Sequence, residues 1–109
     1  MLTPLREYAE HWFAHTDLRL HPPRLLNQTT QWIQELTHAR PGFDAELRTV
    51  ALASLRSSDR VLVHRALAAL AVLGRPDDLV MIEPLLQSAD PYIAGAAGSA
   101  KFEIAHRAA

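Results

Sequence analysis

Apolar positions recur along this chain at intervals of three and four, the spacing that lines side chains along one face of an α-helix. Leu5, Tyr8, Ala9, Trp12 and Phe13 share such a face, and Thr3-Pro4 before them supplies an N-cap and a proline suited to the first helical position, which predicts a helix from about Pro4 to His15. Thr16 to His21 reads as a connection. Pro22-Pro23 restarts the chain into a second amphipathic helix with Leu25, Leu26, Thr29, Trp32, Ile33 and Leu36 on its apolar face, and Pro41-Gly42 ends it. A third helix is predicted from about Phe43 to Arg56, with Phe43, Leu47, Val50, Ala51 and Leu55 in register.

Ser57-Ser58-Asp59 supplies turn and cap chemistry for a fourth helix, Arg60 to Leu73, which is apolar almost all round. A helix of that kind needs neighbours on several sides. Gly74-Arg75-Pro76-Asp77 is a stop followed by a new cap, and Leu79, Val80, Ile82, Leu85 and Leu86 predict a short fifth helix that Pro84 bends or shortens. Asp90-Pro91 opens a sixth, from about Tyr92 to His106, with Ile93, Ala96, Ala97, Ala100 and Ile104 facing inward. Nothing in the chain alternates as a strand does, so the pattern predicts an all-α fold of about six helices. The length of 109 residues fits one domain with one core.

The chain also resembles itself. With Asp59 placed on Asp90, DRVLVHRALAALAVL and DPYIAGAAGSAKFEI superpose without a gap, Leu62 falling on Ile93, Ala66 on Ala97 and Ala69 on Ala100. DAELRTVALASL, from Asp44, echoes the spacing with Leu47, Ala51 and Leu55. Small residues at these positions let neighbouring helices approach closely. These elements, with Leu73-Gly74, Leu85-Leu86 and Asp90-Pro91, resemble the HEAT-like repeats of phycobilin-lyase-type proteins over residues 43–106, while residues 1–40 match helical pairing but not the motif. The resemblance implies a short α-solenoid of the HEAT/armadillo kind in stacked antiparallel pairs, with the second helices lining a concave side. The arginine usual after the valine-like position is replaced by Val63 and Ala94, though Arg48 keeps it in the earlier echo, and Lys101 stands where a leucine is usual. These departures imply a short, degenerate stack.

Charge and composition narrow the function classes. A formal charge of -1, with Lys101 the one lysine, gives no footprint for a polyanion. Arg48, Arg56, Arg60 and Arg65 form the densest basic group, but Asp44, Glu46 and Asp59 offset it, which speaks against a nucleic-acid partner. The absence of cysteine excludes disulfides and thiolate chemistry. It suits a reducing compartment, and with no signal-like or membrane-length apolar run the expected location is the cytoplasm, away from membranes.

No nucleophile elbow, phosphate loop or carboxylate pair appears, so the expectation is a protein that is not an enzyme and needs no cofactor or metal. Glu7, His11 and His15, four apart on the first helix, fit a solvated side better than a metal site. His64 and Arg65, the polar pair of the most apolar helix, read as structural, with the histidine bonded to a backbone carbonyl at the edge of the stack. Asp44 and Asp77-Asp78 read as caps. The sixth helix is the more suggestive element: opposite its inward face lie Gly95, Gly98 and Phe102, and each mid-helix glycine costs about 1 kcal/mol against alanine. A complete repeat would cover that side with another helix; a partner or a second copy of the chain, or Arg107 and the tail folding back, would serve instead.

The expected function is therefore a non-catalytic protein-binding module or adaptor. Its candidate contacts are Arg48, Met81, Glu83 and Gln87, implied by the HEAT resemblance, and Gly95, Gly98 and Phe102. Two other readings stay open: a small immunity- or inhibitor-type protein that neutralises a toxin or enzyme, and a nucleic-acid-binding HEAT module. A tetrapyrrole-lyase-like role, suggested by the family alone, lacks its cysteine.

Overall fold

A computed structural model describes residues 3–108, and every regular element among them is helical. Helix α1 spans Leu5–His15, α2 Pro23–Ala39, α3 Phe43–Ser54, α4 Arg60–Leu73, α5 Leu79–Ile82 and α6 Pro91–Ala108. The fifth helix of the sequence reading is only one α-turn, with 3-10 turns on either side at Pro76–Asp78 and Glu83–Gln87. Pro84 explains the change, because its missing N–H cannot complete an α-helical bond.

Local chemistry fixes the boundaries. Gly42 turns the chain into α3 with φ of 94°, a conformation that disfavours any side chain, and a Cβ there would also crowd Leu5. Two N-termini use the same pair of bonds. At α4, Ser57 Oγ accepts from the Asp59 N–H and Asp59 Oδ1 from the Val61 N–H; at α6, Ser88 Oγ accepts from the Asp90 N–H and Asp90 Oδ1 from the Tyr92 N–H. Repeated segments thus carry repeated caps. At the other end of α4, Arg107 donates to the carbonyls of Ala71 and Gly74. Arg107 therefore closes the end of α4 and does not cover the outer side of α6, while the last residue of the tail lies outside the described ones.

Helix α4 holds the centre, packed against α3 on one side and α6 on the other, with α2 also lying on it. Ala66, Leu67, Ala68, Ala69 and Leu70 are fully buried, as the all-round apolar pattern requires. Ala97 and Ala100 of α6 are equally closed off, so alanine faces bring these two helices together. Helix α1 packs on α3, where the fully buried Phe43 takes the edges of Tyr8 and Trp12 at ring distances of 5.6 and 5.4 Å.

The N-terminal pairing needs correction. Helices α1 and α2 are both present, but α1 makes its main contacts with α3, and α2 with α3 and α4. The connection between them is the reason: Leu18 and Leu20, alternating as in an extended chain, are both buried and take core space of their own. Among the described residues no helix is long and apolar enough to cross a membrane.

Candidate functional site

The structure separates the residues named from sequence. Arg48 is not free for a partner: its Nε donates to Asp78 Oδ2 at 2.8 Å and its Nη2 to Oδ1 at 2.5 Å, and Asp78 also accepts from the Arg75 N–H at 2.8 Å. The Asp78 side chain is only 5% exposed. A carboxylate that deep must be paired, and Arg48 fills that need. Burial pushes the Asp78 carboxyl up, but the Arg48 guanidinium and the Arg75 N–H outweigh it and hold the group below its ordinary value. Asp78 is thus an acceptor within the fold, while Asp44 accepts from the adjoining Ala45 N–H.

Arg60 and Asp90 repeat this pairing. Arg60 Nε and Nη2 donate to Asp90 at 2.7 and 3.0 Å, and both pairs join residues 30 positions apart. The second pair is more exposed. Sequence reasoning missed both, although the equal spacing of arginine and aspartate was the available signal.

Of the other candidates, Met81 is half-buried beside Leu52 and Arg56, Glu83 faces Lys101 with an N–O distance of 3.4 Å, and Gln87 is exposed. Gly98 belongs to an internal contact: a Cβ there would lie 3.9 Å from Leu86, so the Glu83–Gln87 turn covers it. Phe102 is 65% exposed, its ring parallel to that of His106. Gly95 has open space where its side chain would be.

Gly95 opens onto a cleft of about 480 Å³ built from three parts of the chain. The α1–α2 connection contributes Arg19 and His21, α4 contributes His64, and α6 contributes Tyr92, Gly95 and Ser99. Among the described residues His64 bonds no backbone carbonyl. Its ring lies flat on Tyr92 at 4.2 Å, and the carbonyl contact falls to Arg65, which donates to Ala14 O at 2.7 Å. The Arg60 guanidinium also sits over Tyr92, 4.6 Å from the ring centre. His21 Nε2 and Ser99 Oγ share a hydrogen bond of 2.9 Å. Arg19 is held by Asp17 through two bonds of 2.9 Å.

Burial lowers the His64 pKa, and Arg19, His21 and Arg60 lower it further, outweighing Asp17. The cleft therefore favours a neutral imidazole at a place where cationic groups converge. Helix periodicity marks α4 and α6 but says nothing of contacts 78 residues apart such as His21 to Ser99, so the cleft lay beyond sequence reasoning.

Glu7, His11 and His15 are exposed on α1, where the two imidazoles stack at 4.2 Å and His15 bonds the His11 carbonyl. Among the described residues no cluster of histidine and carboxylate side chains has the arrangement to hold a metal ion. The chain matches no protein-family model, no curated protein and no solved structure.

Proposed function

We propose that this chain is a non-catalytic, HEAT-like helical-repeat module that binds a protein partner through the outer side of α6 and the adjoining Leu79–Gln87 segment. The exposure of Phe102 carries the reading: an aromatic side chain 65% open to solvent on the last helix is an anchor of the type enriched at protein interfaces. Glu83 and Lys101 tie the neighbouring segment to the same helix, so Glu83 and Gln87 supply a polar rim beside it. Val80, 74% exposed, adds apolar surface on α5.

Two further observations support the repeat reading. Matching caps open α4 and α6, and matching arginine–aspartate pairs recur at a constant interval. In this reading α3 and α4, then the Pro76–Gln87 segment and α6, are the antiparallel couples of a short solenoid. The same pairs favour protein over nucleic acid, because Arg48 and Arg60 are neutralised by aspartates and offer little net charge to a phosphate backbone. A cytoplasmic location goes with the absence of cysteine.

Cross-linking and mass spectrometry of the tagged chain in its native host, beside a Phe102→Asp variant, tests this. A defined protein captured by the parent and lost from the variant is the expected result; a toxin or enzyme as that partner would specify an inhibitor role. Recovery of nucleic acid alone, or identical capture by both proteins, would overturn the reading. Light scattering of the same two proteins distinguishes a second copy from a foreign partner.

A further inference from the structure

The cleft between the α1–α2 connection, α4 and α6 has the makings of a ligand site. Its volume of about 480 Å³ falls in the range of small-molecule pockets, roughly 300–1,000 Å³. Gly95 is the first sign. A mid-helix glycine costs about 1 kcal/mol against alanine, yet a Cβ here would meet nothing within 4 Å, so no packing contact requires it. What its absence of a side chain does is keep the cleft open.

The walls divide by chemistry. Leu20, Ala96 and the bare Gly95 backbone form an apolar floor, while Arg19, His21, His64 and Ser99 place donors around it. Asp17 engages Nε and Nη2 of Arg19, and Asp90 does the same for Arg60. Nη1 of each guanidinium is left unbonded to protein among the described residues. Tyr92, stacked on His64 and with the Arg60 guanidinium over its ring, forms one wall. Both guanidiniums are paired with aspartates, so what the cleft offers a carboxylate is directed N–H donors rather than free charge.

We infer that this cleft binds a small organic acid, with its apolar body on Leu20, Gly95 and Ala96 and its carboxylate among Arg19, His21 and His64. The inference goes beyond the protein-binding reading and does not depend on it, since Phe102 lies outside the cleft lining.

Benzoate, with benzamide as its uncharged counterpart and inorganic phosphate as a charge without an apolar body, provides the test by calorimetry and amide chemical shifts. Saturable benzoate binding is expected, with shifts at His64, Gly95 and Ser99 and with both other probes at least about tenfold weaker. Arg19→Gln should weaken benzoate several-fold. Gly95→Leu should abolish binding while unfolding as cooperatively as the parent, because its side chain starts in open space. Phe102→Asp should bind benzoate unchanged, which keeps this result separate from loss of a protein partner. Absence of saturation below about 10 mM benzoate, equal binding of benzamide or phosphate, or unchanged binding by a folded Gly95→Leu protein would each overturn the inference.

Discussion

Replacing Arg48 with methionine tests the most deeply placed ion pair. The substitution keeps most of the aliphatic stem and removes two charge-assisted hydrogen bonds to a carboxylate that is 5% exposed. Asp78 would retain the Arg75 N–H as its partner. Breaking a buried pair by removing one member costs about 3–5 kcal/mol when the remaining charge is stranded. Arg48 itself is 23% exposed, so water can partly replace it, and a loss of about 2–3 kcal/mol is expected. For a domain of this size that corresponds to a fall in Tm of roughly 8–20 °C. Urea denaturation followed by circular dichroism at neutral pH measures it. Arg48→Met combined with Asp78→Leu should recover much of the loss, with a coupling of at least about 1 kcal/mol. A loss under about 1 kcal/mol for Arg48→Met, or strict additivity in the double variant, would refute the assignment. The pair also carries a pH signature: because the folded Asp78 carboxyl is held below its ordinary value, its contribution is complete above the unfolded carboxylate range and fades as pH falls through the folded value. The acid-induced loss should be smaller in Arg48→Met.

Gly74→Ala should destabilise by about 1–3 kcal/mol, since its Cβ would come within 2.5 Å of both Ile104 Cδ1 and the Leu70 carbonyl oxygen; Gly95→Ala should stabilise by about 0.5–1 kcal/mol, and thermal melts of the two report the contrast. Leu67→Ala, at the closed centre of α4, should cost about 2–5 kcal/mol by urea titration. His64, whose folded pKa is lowered, makes the native state the poorer proton binder: stability should drop as pH falls through about 6.5 and level off below the folded value, and urea midpoints across that window should show a shallower slope for His64→Phe.

Much of this architecture was legible because helix periodicity and punctuation agree. Pro23, Asp59 and Asp90 mark helix starts in both the sequence and the fold, Gly42 marks the break between α2 and α3, and the all-round apolar stretch of α4 could belong only to a central helix. Three features escaped for identifiable reasons. Leu18 and Leu20 bury themselves from an extended connection, where a period of two over so few residues is too short to stand out. Arg48 and Arg60 looked like surface cations until the fold set an aspartate opposite each. The cleft depends on His21, His64 and Ser99 meeting across three elements, which local spacing does not encode. Gly95 and Gly98 show both sides of one clue: their helical cost signalled something unusual about α6, but the structure gives Gly95 an open cleft and Gly98 an internal neighbour.

Native-state hydrogen exchange measures the organisation on which the rest is built, short helices packed around α4. Amides of Ala66 to Ala71, buried between α3 and α6, should exchange most slowly, at the free energy of global unfolding, with α1 and α2 opening earlier. Exchange in α4 as fast as in α1 would contradict a central α4 and, with it, the proposed stacking from which the α6 surface is to act.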